Sequence, residues 1–322
     1  MQHKMITGID VSKDLLDVYI SPLDEAKQFS NNVKGFKSLV NYLSKYGKDN
    51  KVILEATGGY EVAAAYYLQE HNIKSHIVNP KNIRNYARAI GVTAKTDKID
   101  AKLITLFAAN SDIKLYDLPS KEVRDIKITL TRRQQLVDAL SKQQTQRHML
   151  KKNQTGDSKY LIKSSDQLIC LLKEQVKEVD KIIINKIKSN KSLSTKYEQI
   201  SSISGVGNVT AITLLSYLPE LGDIDHKQIS SLVGLAPMNR DSGKKVGKKY
   251  IQGGRKQVRK VLYMAVLSAQ KHNNDIKTMF NRLAIEKNKP YKICATAAMR
   301  KLLIMANSVV RDNRLWKQNL YS

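Results

Sequence analysis

Aromatic residues are scarce in this chain, at 6%, which argues against a protein built on stacking platforms for single strands. Cysteine is scarcer still. Cys170 and Cys294 show neither a pairing pattern nor metal-ligand spacing, as expected in a reducing compartment. No apolar run reads as the roughly 20-residue segment a membrane helix needs, and the opening M-Q-H-K-M has no signal-peptide apolar region. A cytoplasmic protein without membrane attachment is expected. Internal repeats and long low-complexity tracts are also missing. Acids are outnumbered: 29 Asp+Glu face 55 Lys+Arg, a net charge of +26. Self-repulsion on that scale makes a polyanion the first expected partner.

The chain, at 322 residues, has room for two or three domains. Residues 4–11 read as a buried strand ending near Asp10. Residues 15–20 and 26–31 alternate like second and third strands, with gaps short enough for an antiparallel meander. A helix over 34–46 follows, then a strand at 51–54 running into Glu55. After T-G-G comes a helix, a strand at 74–78, a helix opened by Pro80, and a last helix beginning near Asp97. Three strands, helix, strand, helix, strand, helix, helix is the order of a ribonuclease-H-like α/β fold, expected over 1–118.

Asp97 and Asp100, in K-T-D-K-I-D-A-K-L-I, are three apart in the first turn of that last helix and project from one face. Acids there also suit the helix dipole, and Thr96 suits an N-cap, so the pair alone is ambiguous. Asp10 and Glu55, at the ends of two strands, tip the balance. Four carboxylates are hard oxygen ligands for Mg²⁺, and two ions ~3.5–4 Å apart suit phosphoryl transfer. Asp14, Asp17 and Glu61 are nearby competitors. Asp17 is set aside as lying in a more peripheral strand, and Glu61 as falling inside a helix.

Residues 119–198 carry apolar positions at three and four, with a polar break at K-K-N-Q-T-G-D-S-K. Two long helices forming a hairpin or coiled coil are expected, with self-association covering the apolar stripes. From 199 to 322 a mostly α domain begins with I-S-G-V-G-N-V-T-A. Gly205, Gly207 and Asn208 there suit either a helix-hairpin-helix turn that offers N–H groups to a phosphate or an ordinary tight turn. Between Arg240 and Lys260 lie nine Lys or Arg and one acid. Arg240, Lys244, Lys245, Lys248, Lys249, Arg255, Lys256 and Arg259 are accordingly expected to grip a phosphodiester backbone.

G-I-D-V-S-K-D at 8–14, E-A-T-G-G-Y-E at 55–61 and K-T-D-K-I-D-A-K-L-I at 95–104 together resemble the DEDD transposases of bacterial insertion sequences, which have a RuvC-like N-terminal domain. I-S-G-V-G-N-V-T-A and G-L-A-P-M-N-R-D-S-G at 234–243 resemble that family's second domain. The resemblance implies a recombinase that cuts and rejoins donor and target DNA, guided by a structured bridge RNA and working as a homo-oligomer, a dimer or tetramer. It implies Mg²⁺, two ions per site with Mn²⁺ able to substitute, held by Asp10, Glu55, Asp97 and Asp100. It further implies a serine nucleophile, Ser242 by motif position, which completes the acidic site of another subunit.

Three other readings compete. A RuvC-like resolvase would use the same acids with water. A nucleotide-hydrolysing actin or sugar-kinase fold shares the first motif but needs a second Gly-rich phosphate loop, which is not found. A non-catalytic nucleic-acid-binding protein would have no use for the acid quartet.

Overall fold

The computed structural model describes residues 5–47, 50–92, 97–110, 118–153, 157–239, 247 and 249–317, the side chains of residues 97 and 98 excepted. They fall into two compact units, Met1–Leu118 and Pro119–Ser322.

The first unit runs β1 (Ile6–Val11), β2 (Leu15–Ser21), β3 (Glu25–Ser30), α1 (Val33–Leu43), β4 (Lys51–Glu55), α2 (Glu61–Glu70), β5 (Ser75–Val78), α3 (Pro80–Ala89) and α4 (Asp97–Asn110). Its sheet has the order β3-β2-β1-β4-β5. The short connections make β1, β2 and β3 antiparallel. The longer, helix-bearing ones leave β1, β4 and β5 parallel, as crossover length requires. Asn32 caps α1 through Gly35 N at 3.0 Å. Asn79 caps α3 through Lys81 N at 2.9 Å, with Pro80 at the first helical position as the sequence suggested; there a missing N–H costs nothing.

β1 is buried at almost every position because it is covered on both faces. Ile9 and Val11, with Leu16, Val18 and Leu54, meet Phe36 and Leu39 of α1 and Ala64 and Leu68 of α2. Ile6 and Ile53 belong to a second cluster with Leu103, Ile104 and Phe107 of α4 and Ile83 of α3.

The second unit is helical: α5 (Lys121–Lys152), α6 (Ser158–Lys188), α7 (Lys191–Ser201), α8 (Asn208–Tyr217), α9 (His226–Val233), α10 (Lys256–His272), α11 (Asn274–Asn281) and α12 (Tyr291–Arg311). α5 and α6 lie side by side, joined by Arg133 Nε to Asp180 Oδ1 at 2.5 Å, Gln143 Nε2 to Ser165 Oγ at 3.0 Å, and Arg147 to Asp166. Part of the apolar stripe expected to need a second copy is covered within the chain. Ile126, Leu130, Ile183 and Ile187 cluster with Leu193 of α7 and Ile212 of α8.

α7 through α12 share one further core. α12 is long and apolar enough to cross a membrane by length and composition, although Lys292, Arg300 and Lys301 interrupt its apolar run. Its Cys294, Ala298, Leu302 and Ala306 are instead buried in this core. Both cysteines are free thiols, Cys170 exposed and Cys294 buried.

Candidate active site and nucleic-acid interface

The register Ile9↔Leu54 between parallel β1 and β4 sets Asp10 beside Glu55, one residue further along each strand. Strand alternation puts Asp10 on the face of Ile6 and Gly8, and Glu55 on the face of Ile53. That is the face α4 covers. A Cβ built on Gly8 would stand 2.9 Å from Thr105 Cγ2 and 3.1 Å from Ile104 Cβ, so α4 rests directly on this glycine.

The direction of α4 follows from its contacts. Ile6 shares a cluster with Leu103, Phe107 and Ala108, toward the helix C-terminus, while Gly8 lies under Ala101. Moving along β1 toward Asp10 therefore means moving back along α4 toward Asp100 and Asp97. Asp10, Glu55 and the first turn of α4 meet at one end of the sheet. Asp10, Glu55 and Asp100 are each half-buried; the Asp97 side chain and Thr96 lie outside the described residues. Among the described residues, no three His, Cys, Asp or Glu form a group that could hold a metal ion.

Asp17 is closer to the site than the sequence suggested. β2 is the immediate neighbour of β1, with Asp17 directly opposite Asp10, and cross-strand partners share a face. Gln28 Nε2 donates to its Oδ1 at 2.9 Å. The short connection signals that β2 neighbours β1, but which residue faces Asp10 depends also on the geometry of the turn.

Glu61, the other competitor, is buried at the head of α2 and accepts from Thr57 N at 3.0 Å and Gly59 N at 2.9 Å. It shapes the turn that follows Glu55. Between α4 and β2, Lys102 Nζ reaches Asp24 Oδ1 at 3.0 Å and lies 5.3 Å from the ring of Tyr19, the cross-strand partner of Gly8. The Tyr19 hydroxyl also bonds Asp24. Burial and then that bond hold the Tyr19 pKa above its ordinary value.

In the second unit, Arg240, Ser242, Lys244, Lys245 and Lys248 lie outside the described residues. Flanking them, Met238 N donates to Tyr250 O at 2.9 Å and Tyr250 N to Met238 O at 3.2 Å. Met238 and Tyr250, on either side of that stretch, are thus paired with each other. Lys249 and Lys256 are exposed.

Arg255 and Arg259 are engaged inside the fold. Arg255 donates to Glu220 Oε2 at 2.5 Å, Glu220 Oε1 at 2.6 Å and Tyr217 O at 2.7 Å. Arg259 donates to Val233 O at 2.6 Å and to Gly253 O. Local spacing does not reveal this, because Glu220 lies 35 residues from Arg255. Gly205 has φ +94°, and a Cβ there would meet Ala269 Cα at 2.5 Å, so close packing on α10 requires it. Gly207 and Asn208, by contrast, are exposed at the start of α8.

Residues 7–152 match the DEDD transposase model of the IS110 type, described as Transposase. Residues 197–281 match the model described as Transposase IS116/IS110/IS902 family. The chain belongs to this transposase family. It is similar to the pilin gene-inverting proteins of Moraxella lacunata and Moraxella bovis, each 28% identical over 328 residues that cover 99% of both chains. The protein is a DNA-rearranging enzyme, a transposase or recombinase acting on DNA. Its family suggests a divalent metal. The first matched stretch contains Asp10, Glu55, Asp97 and Asp100; the second contains Gly205, Ser242 and Arg259. All of α6 falls between them.

Proposed function

We propose that this transposase excises and inserts DNA by cutting and rejoining strands, with the acid quartet as its metal-holding group and Ser242 as its nucleophile. The observation that carries the reading is the convergence of Asp10, Glu55 and the first turn of α4 at one end of the sheet. The strand order β3-β2-β1-β4-β5 supports a ribonuclease-H-like fold for the first unit.

Carboxylate oxygens suit Mg²⁺ or Mn²⁺, and Asp10, Glu55, Asp97 and Asp100 are the residues that would hold two such ions. Bound there, the metal would polarise a phosphoryl oxygen and lower the pKa of an attacking hydroxyl. The Ser242 oxygen displaces a sugar oxygen from phosphorus as its proton is lost, giving a phosphoserine bond and a free hydroxyl. A strand-end hydroxyl then displaces the serine and restores the phosphodiester, so joining needs no high-energy cofactor.

The net charge of +26 supports a second polyanion beside DNA, a structured guide RNA. Exposed Leu161, Leu168 and Leu171 on α6 support homo-oligomers built through a hairpin of α5 and α6.

The deciding experiment is Ser242→Ala, assayed for cleavage and joining in Mg²⁺. Loss of both activities with DNA binding retained is expected. Cleavage and joining at the wild-type rate would make Ser242 a turn residue; a resolvase using water predicts that result for cleavage.

A further inference from the structure

A cleft of about 310 Å³ opens within the second unit where α5, α8 and α10 meet. That volume is at the low end for small-molecule sites. α10 contributes Lys256 and Lys260, both exposed and both lining the cleft. None of the ion pairs among the described residues involves either lysine. Four apart on one helix face, they repel each other, and α10 carries no acid to relieve them.

Lys256 is also the first residue of α10, which no side chain caps. The N–H groups and positive dipole end of a 17-residue helix therefore add to the same cationic wall. The facing wall, from α5, has different chemistry. Gln134, Gln135 and Asp138 line it, with Gln134 Nε2 donating to Asp138 Oδ1 at 2.8 Å, and the charge of Arg133, also in the lining, is met by its ion pair with Asp180 of α6. Tyr217 of α8 contributes an aromatic surface.

A bare anion would be repelled by Asp138, and a duplex is too wide for a cleft of this size. A ligand anionic at one end and rich in amino groups at the other satisfies both walls. We propose that the cleft takes one nucleotide of an unpaired nucleic-acid strand. Its phosphate lies on Lys256 and Lys260, and its base edge on Gln134, Gln135 and Asp138. Asp accepts from an exocyclic amine and Gln pairs with adenine, so adenine or cytosine is favoured over thymine or uracil. The inference rests on the nucleic-acid reading of the whole chain and assigns one of its contacts.

The test uses the full chain and fluorescence anisotropy with four probes over a salt series: short oligo(dC), its RNA counterpart, oligo(dT) and a DNA duplex. In Lys256→Gln/Lys260→Gln, loss of the one neutralised phosphate should reduce the single-strand log–log salt slope by about 0.7. The duplex slope should be unchanged. A response confined to the DNA strand or to the RNA strand assigns the cleft to that polymer. Asp138→Asn should reduce the preference for oligo(dC) over oligo(dT) and leave the slope alone.

Wild-type slopes on both single strands in the double-lysine variant, or an equal drop on the duplex, would overturn the proposal. In either case the wild type's own salt-dependent binding would leave the nucleic-acid reading standing. A wild type that binds no probe would defeat that reading itself.

Discussion

Two glycines two residues apart, Gly205 and Gly207, have different duties that spacing alone does not separate. Gly205 holds a positive φ and has the backbone of Ala269 where a side chain would go, whereas a Cβ on Gly207 meets nothing within 4 Å. Gly205→Ala should cost about 2–4 kcal/mol, combining a left-handed backbone with an overpacked contact. Gly207→Ala should cost about 1 kcal/mol or less, the difference between the two residues at an N-cap. Denaturant midpoints of the two variants check this. If the turn serves a phosphate, weakened DNA binding with an intact fold should come from position 207 alone. The basic run divides in the same way. Lys256 is available at the surface, but Arg255 and Arg259 are joined to partners that lie close only after folding.

At the scale of elements, the strands and helices of the first unit were legible because apolar alternation and loop length dictate them. Asp10 at a strand end, Glu55 closing its strand and Asp97 opening a helix all stand where spacing put them. What the sequence could not convey was cross-strand register, which brings Asp17 opposite Asp10. Nor could it reveal that Gly8 is the seat of α4. Gly8→Ala should lift α4 from β1 at a cost of about 1–3 kcal/mol. It should also depress DNA cleavage further than that cost explains, because the first turn of α4 moves away from Asp10. Cleavage at the wild-type rate, measured where the variant is fully folded, would show that the acids do not depend on this seat.

The α5–α6 pair has a pH signature. The Arg147 hydrogen bond holds the Asp166 carboxyl below its usual range, and backbone N–H groups do the same for Asp225 at the head of α9. A carboxyl whose folded pKa is lowered stabilises above its unfolded pKa and loses that contribution as pH falls through the folded value. Tm should therefore decline as pH drops below about 4. Asp166→Asn should flatten part of that decline and leave the rest to groups such as Asp225. The effect is modest, since both carboxyls are exposed.

For the whole molecule, the net charge of +26 acts with opposite sign in the free and the bound protein. Free, the excess cations repel one another, and salt screens that repulsion over a Debye length of about 10 Å at 0.1 M. Tm of the protein alone should rise as salt is added. Bound, the same cations sit against phosphates, and a ligand at 100 times its Kd stabilises by about 2.7 kcal/mol. Salt weakens that binding steeply, because each phosphate contact releases counterions. The Tm of the DNA complex should start well above that of free protein at low salt and converge on it as salt increases. Thermal scans of both samples across one salt series decide the matter. A gap that stays constant would mean that DNA is held by contacts other than its phosphates. A free-protein Tm that falls throughout would mean that surface ion pairs such as Lys102–Asp24 outweigh the repulsion, against what 55 cations and 29 acids predict.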